Sequence, residues 1–203
     1  MEGFLENSQN QKVLESTGLK PVPVIHDYYG REINYYMDKG YDMVALGSIL
    51  DTNTGKHART FKDVEIAIEK IFKINSSTKI HLFAASSFTE LSVLPLYSSD
   101  STSWTQNGKY GYIKYWNEHN KLFNKTEKIY FEDSYDEKEN RLYFTSYEFR
   151  KELEEYLDKT LGINYDDLIG NNSYFYRQVV NSLHYIDIEE RITQEHKRQG
   201  FIY

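Results

Sequence analysis

Tyr41-Asp42-Met43-Val44-Ala45-Leu46-Gly47-Ser48 holds the run that decides the fold: four apolar residues in succession, entered through an acidic turn and left through a glycine. An uninterrupted apolar run of this length fits a strand buried on both faces, the signature of a parallel sheet rather than a half-solvated antiparallel one. Upstream, Val22-Pro23-Val24-Ile25 reads as a first strand, entered through Gly18-Leu19-Lys20-Pro21 with a proline where its missing N–H does least harm. Downstream, residues 80–85 read as a third strand and Tyr97-Ser98-Ser99 as a weaker fourth.

The segments between are amphipathic. Residues 31–38 form a short helix, and Phe61, Val64, Ile68, Ile71 and Phe72 mark one helical face behind a capping box from Thr60 to Asp63. A second capping-box spacing, Ser87 to Glu90, opens a helix through Leu91 and Leu94 that Pro95 stops. Strands alternating with helices imply right-handed crossovers and a parallel α/β sheet, with ligands at the carboxyl ends of the strands. The positions to watch are therefore His26-Asp27, Gly47-Ser48, Ser86-Ser87 and Asp100-Ser101-Thr102.

After Trp104 the pattern changes. Residues 108–116 are aromatic and basic, and Lys128-Ile129-Tyr130-Phe131 with Arg141-Leu142-Tyr143-Phe144 reads as a hairpin whose polar tip is residues 133–140. A third capping-box spacing, Thr145 to Glu148, leads a helix carrying Phe149, Leu153, Tyr156, Leu157 and Leu161 on one face. A last helix over residues 173–197 places Phe175, Val179, Leu183 and Ile186 at helical spacing. Residues 1–104 are thus expected to be the α/β region, and 105–203 a mainly helical extension containing a hairpin.

Composition narrows the function classes. None of the 203 residues is cysteine, which rules out disulfides and thiolate metal sites. The net charge of −7, from 24 basic and 31 acidic side chains, lacks the basic surplus of a typical nucleic-acid binder, although local charge can override the total. No secretory signal is seen at the N-terminus, and no apolar run approaches the roughly 20 residues that span a bilayer. A cytoplasmic protein with no membrane partner is the expectation. The 19 tyrosines, each an apolar ring with a polar tip, point to many half-buried or contact-forming surfaces. No P-loop or dinucleotide glycine motif calls for a cofactor. His57, His81, His119, His184 and His196 show no metal-ligand spacing, and Asp133, Asp136, Glu137 and Glu139 lack that of a calcium loop.

Four stretches carry a family resemblance: Asn10-Gln11-Lys12-Val13-Leu14-Glu15, Gly18 through His26, Tyr41 through Ile49, and Tyr97-Ser98-Ser99-Asp100-Ser101-Thr102-Ser103-Trp104. In order and spacing they resemble the second half of the tRNA-guanine transglycosylase barrel, most closely its DNA-directed and phage-borne relatives, over roughly residues 8–104. The resemblance implies part of a (β/α)₈ TIM barrel that exchanges guanine in nucleic acid for a deazapurine. It implies that Asp100 is the nucleophile at the sugar C1′, that Ala45, Leu46, Gly47 and Ser48 line the base pocket with backbone, and that His26, Ser101, Thr102 and Trp104 contact substrate. A phage-type protein would work in the host cytoplasm.

Those roles suit the residue types. A carboxylate attacking C1′ divides a difficult displacement into two steps. A glycine after a buried strand lets a flat base approach the backbone. Three features depart from the family. The cysteines of its zinc site are absent, and the earlier barrel half with its second aspartate has no counterpart. Ser103-Trp104-Thr105 also stands where basic residues are expected, Lys109 being the nearest cation. Four strands do not close a barrel, so a second chain or a homo-oligomer is the expected partner.

Plainer readings stay open beside these. Asp100 also suits a turn former or helix cap, His26 a hydrogen-bonded structural histidine, and Gly47 a tight turn. Lys109, Tyr112, Lys114 and Trp116 could stack on and neutralise a nucleic-acid strand, or pack one face of a strand. The alternative function is accordingly a non-catalytic protein whose half-barrel or tyrosine-rich surface binds a protein or nucleic acid.

Overall fold

The computed structural model describes residues 2–47, 59–131 and 141–201, arranged in two compact units. Unit 1 comprises Met1–Ser101 with His196–Tyr203, and unit 2 comprises Thr102–Glu195.

Unit 1 is built on a four-stranded parallel sheet in sequential order: β1 (Val24–Ile25), β2 (Met43–Leu46), β3 (Lys79–Leu82) and β4 (Ser98–Ser99). Val44 opposes Ile80 and Leu46 opposes Leu82 across the central pair. Val44, Ala45 and Leu46 are all buried, as the apolar run predicts for a strand covered on both faces. Each fully buried aliphatic side chain contributes roughly 1.5–3 kcal/mol relative to exposure.

Helix α3 (Phe61–Ile74) buries Val64, Ala67, Ile68 and Ile71, one stripe at helical spacing. Its predicted capping box forms: the Asp63 N–H donates to Thr60 Oγ1 at 3.3 Å, and the Thr60 N–H to Asp63 Oδ2 at 2.7 Å. Helix α2 (Glu32–Asp38) matches the short helix expected there. The sequence pattern gives no sign of α1 (Glu2–Ser16), because its apolar residues trace no stripe. Leu5, Val13 and Leu14 are exposed, and the helix is held instead by Phe4 against Tyr35 and Tyr36 and by Tyr41 donating to Glu15.

The second capping box does not form. α4 (Phe88–Leu91) is a single turn, and Ser87 makes no side-chain cap. One turn leaves too little helix for the reciprocal bonds to stabilise. The end of unit 1 returns from far along the chain: in the last turns of α8 (Ser173–Gln199), His196 Nε2 lies 2.7 Å from Leu91 O, and Gln199 Nε2 donates to Ser92 O at 2.9 Å.

Unit 2 holds α5 (Ser103–Lys109) and a three-stranded sheet of β5 (Tyr112–Trp116), β6 (Thr126–Tyr130) and β7 (Leu142–Tyr143). The expected hairpin is displaced. The antiparallel pair is β5–β6, whereas β6 and β7 run parallel, with Ile129 opposite Leu142 and Tyr130 opposite Tyr143. Both readings use the same alternating residues, and the strand direction is set by which partner β6 meets, information that local alternation does not contain. The proposed tip, residues 133–140, lies outside the described residues.

Packed against this sheet are α6 (Arg150–Leu161), α7 (Tyr165–Ile169) and α8. The core comprises Ile113, Ile129, Phe131, Phe144, Leu153, Leu157, Leu168 and Val180. The third capping box is also absent: Thr145 lies in a 3-10 turn over Phe144–Ser146, and α6 begins only at Arg150. Gly162 ends α6 at φ 65°, a left-handed conformation that favours glycine. The predicted α6 face is correct at its centre, Leu153 and Leu157. The predicted α8 face is not: Phe175 and Ile186 are exposed, while Arg177, Val180, Asn181, His184 and Ile188 are buried.

That rotation has a physical cause. Asn181 covers the open edge of β5, accepting from the Lys114 N–H at 2.8 Å and donating to Tyr112 O at 3.2 Å. Its amide offers one donor and one acceptor, as a neighbouring strand would, so an edge strand is satisfied by a side chain. Arg177 Nε in turn donates to Leu168 O at 2.8 Å.

Candidate functional site

The carboxyl end of β1 opens into His26-Asp27-Tyr28-Tyr29-Gly30, a loop shaped by two carboxylates. Glu32, at the start of α2, accepts from the N–H groups of His26 (2.7 Å) and Asp27 (3.1 Å). Asp27 Oδ1 accepts from the N–H groups of Tyr29 (3.1 Å) and Gly30 (2.7 Å). A local carboxylate thus takes the place of a ladder partner wherever the backbone leaves the sheet.

Two of the predicted residues meet here. The His26 imidazole lies over Gly47 so closely that a Cβ there would sit 2.5 Å from its Cε1 and Nδ1. The close approach that this glycine permits is therefore used by His26 itself. Both backbone groups of Gly47 are also engaged, its N–H donating to Ile25 O at 2.9 Å and its carbonyl accepting from Tyr28 Oη at 2.5 Å. Burial pushes the Tyr28 hydroxyl pKa up, with the Arg59 guanidinium opposing the rise. Ala45 and Leu46 contribute ladder bonds, Ala45 N–H to Pro23 O and Phe83 N–H to Leu46 O, and their side chains belong to the core. Ser48 lies outside the described residues.

At the other edge, Asp100 follows β4 with its side chain 57% exposed. Its Oδ1 accepts from the Ala84 N–H at 2.8 Å, and its carbonyl accepts from the Ala85 N–H at 2.8 Å. Ala84 has φ 55°, the one described non-glycine residue in the left-handed region. Such a conformation is sparsely populated for alanine and persists only where neighbours hold it. His81 Nε2 lies 4.0 Å from Asp100 Oδ1, while His81 Nδ1 is 2.9 Å from Ser98 Oγ across the β3–β4 register. Sequence reasoning missed the part His81 plays in this arrangement. Its signal was a polar residue interrupting the apolar run Ile80-His81-Leu82.

His26 and Asp100 are not brought together. They leave opposite edge strands of a four-stranded sheet, about 14 Å apart at the usual inter-strand spacing. Ser101 closes unit 1 half-buried, whereas Thr102 and Trp104 open unit 2 as exposed residues at the start of α5. The boundary between the units thus falls inside Asp100-Ser101-Thr102-Ser103-Trp104.

In unit 2, Lys109 is exposed at the end of α5. Tyr112, Lys114 and Trp116 share one face of β5, and each has an internal partner. Tyr112 Oη donates to Asn107 Oδ1 at 2.6 Å, and burial pushes its pKa up to about 12. Lys114 Nζ donates to Tyr185 Oη at 2.6 Å, and the Arg191 guanidinium lies 4.6 Å from the Trp116 ring centroid. The face continues through Tyr130, 5.1 Å from Tyr112 between ring centroids, to Tyr143. Lys128 stands over Tyr112 and Arg141 over Tyr130.

Among the described residues no group of three His, Cys, Asp or Glu is placed to hold a metal ion, and no helix is long and apolar enough to cross a membrane. His57 and the acidic residues Asp133, Asp136, Glu137 and Glu139 lie outside the described residues. No protein-family model, no curated protein and no solved structure matches the chain.

Proposed function

We propose that the chain is a transglycosylase-like protein acting in guanine or deazaguanine exchange in nucleic acid, with Asp100 as the nucleophile. The observation that carries this reading is the exposed Asp100 carboxylate at the carboxyl end of a parallel strand, oriented by the N–H of a left-handed Ala84. The strand order also supports it. A sequential β1-β2-β3-β4 parallel order is the one in which successive strands of a barrel follow each other. In the first step a carboxylate oxygen of Asp100 bonds to C1′, and the glycosidic bond breaks toward the departing guanine, which leaves with the electron pair and collects a proton. In the second, a nitrogen of the incoming base bonds to C1′ and gives up its proton, while the C1′–oxygen bond breaks and its electron pair returns to the Asp100 carboxylate. The residues of the earlier barrel half are then supplied by another chain or a second copy.

A second reading, a nucleic-acid-binding protein without chemistry, is favoured by the sheet face of unit 2. There Tyr112, Tyr130 and Tyr143 form a row flanked by Lys128 and Arg141, a stacking and charge-neutralising arrangement. One experiment separates the two readings. The chain in its native assembly is incubated with labelled guanine and either tRNA or duplex DNA, with Asp100→Ala beside it. Label entering the polymer with the native chain and not with Asp100→Ala supports exchange. Equal incorporation by both removes Asp100 as the nucleophile, and polymer retained on the protein without any incorporation favours binding alone.

A further inference from the structure

The carboxyl ends of β3 and β4 bring one titratable ring beside Asp100. His81 stands opposite Ser98 in the parallel register, and Asp100 follows Ser98 by two positions, the spacing that returns a side chain to the same face. The ring is fixed on one side. Its Nδ1 lies 2.9 Å from Ser98 Oγ, and the Phe83 ring packs edge-on against it with centroids 4.7 Å apart. Its other nitrogen, Nε2, has no hydrogen bond among the described residues and lies 4.0 Å from Asp100 Oδ1. Nε2 is not one of the buried polar atoms left without a partner, and the His81 side chain is 18% exposed, so this nitrogen is reached from outside.

The two oxygens of Asp100 also differ. Oδ1 is held by the Ala84 N–H at 2.8 Å, whereas Oδ2 accepts from no described residue and is the oxygen free to attack. At 4.0 Å, Nε2 stands beyond hydrogen-bond reach of the carboxylate and does not occupy it. In retaining displacement at an anomeric carbon, the nucleophile and the acid/base group flank the scissile bond about 5–5.5 Å apart. A ring close to the carboxylate but not bonded to it leaves room for the atom that departs from C1′.

We propose, resting on the exchange reading, that His81 is the acid/base group of this site. As Oδ2 bonds to C1′ and the glycosidic bond breaks, the departing nitrogen keeps the bonding pair and takes the Nε2 proton of the protonated ring. When a nitrogen of the incoming base bonds to C1′ and the C1′–Oδ2 pair returns to Asp100, the proton of that nitrogen goes to Nε2. Nδ1–H donates to Ser98 Oγ in both states, so only Nε2 exchanges a proton and the ring does not turn. Ser98 is then a positioning residue, and the acid/base chemistry belongs to this chain rather than to the partner that completes the barrel.

The test uses leaving groups that differ in their need for a proton. Guanine departs as an anion unless it is protonated, whereas 7-methylguanine, cationic in the polymer, departs neutral. The full chain in its native assembly is given tRNA or duplex DNA carrying one or the other, and release of the base is followed in a single turnover. His81→Asn, Ser98→Ala and Asp100→Ala are run alongside, with each fold checked by thermal melting. His81→Asn keeps an amide near Ser98 but carries no proton, and should slow guanine release by roughly a hundred- to ten-thousandfold while 7-methylguanine release stays close to native. Ser98→Ala should show a smaller loss with the same preference. Equal slowing of both bases by His81→Asn, or of neither, overturns the proposal. Release of neither base by the native chain overturns the exchange reading and this role together. Full release by Asp100→Ala, with His81→Asn still selective for guanine, removes Asp100 as nucleophile and keeps His81.

Discussion

The two units place their buried polar groups differently. In unit 1 three of these sit where elements begin or end, with Glu32 starting α2, Thr78 preceding β3 and Ser92 following α4, while Ser8 and His196 lie within helices. The central strands β2 and β3 bury Val44, Leu46, Ile80 and Leu82, and His26 and Asp100 lie beyond the strand ends. In unit 2 Arg177, Asn181 and His184 are buried along the middle of α8, and two of them serve the backbone of other elements: Arg177 donates to Leu168 O and Asn181 closes the edge of β5. A unit whose interior is apolar can be read from hydrophobic pattern alone. One that uses polar side chains to finish its sheet hides those contacts, because an asparagine or a histidine on a helix looks solvent-facing in sequence.

If that contrast is real, the largest loss should come from the interior of unit 2. Asn181→Leu keeps the branched shape but leaves the Lys114 N–H and the Tyr112 carbonyl without partners, and should destabilise unit 2 by roughly 4 kcal/mol. Urea unfolding followed by tryptophan fluorescence reports this directly, since Trp104 and Trp116 both fall in unit 2. A loss below about 1 kcal/mol would mean that the β5 edge is satisfied otherwise.

The next effect is a pH dependence. His184 is neutral in the fold with a pKa near 3, against 6.5 for the free side chain, so the unfolded state binds more protons between those values. Its contribution is complete above about pH 6.5 and is lost as the pH falls toward 3. By about pH 4.5 the loss should reach roughly 3 kcal/mol. His184→Met, which does not titrate, should flatten that slope in pH-dependent melting, and an unchanged slope would place the acid sensitivity elsewhere.

The smallest effect is expected in unit 1. Gly47→Ala sets a methyl against His26 and should destabilise by about 2 kcal/mol through crowding. In a His26→Ala background most of that loss should vanish, because the residue being crowded is gone. Equal losses in both backgrounds, measured by circular-dichroism melts, would show that Val24 or the backbone is the obstacle.

How far the sequence could be read follows the same division. The capping box at Thr60 and Asp63 formed because a four-turn amphipathic helix follows it. Those at Ser87 and Thr145 did not, since a capping motif completes a helix that packing already stabilises and cannot create one. In the candidate site, the strand-end positions of His26, Gly47 and Asp100 were legible from apolar runs ending in polar residues. That Gly47 is covered by His26, and that Asp100 is clamped by Ala84 and near His81, was not, because these contacts join residues 16 to 21 positions apart through the sheet register.

By itself, then, the sequence determined the parallel α/β region, its strand order of apolar runs and the places where polar chemistry leaves the sheet, because hydrophobic period and turn chemistry are local properties. Only the tertiary structure decided that β6 pairs antiparallel with β5 and parallel with β7, which face of α8 is buried, and that Asn181 closes the edge of β5. Those outcomes depend on which groups meet across long sequence separations, where a backbone edge or a buried N–H takes whatever partner the packing brings to it.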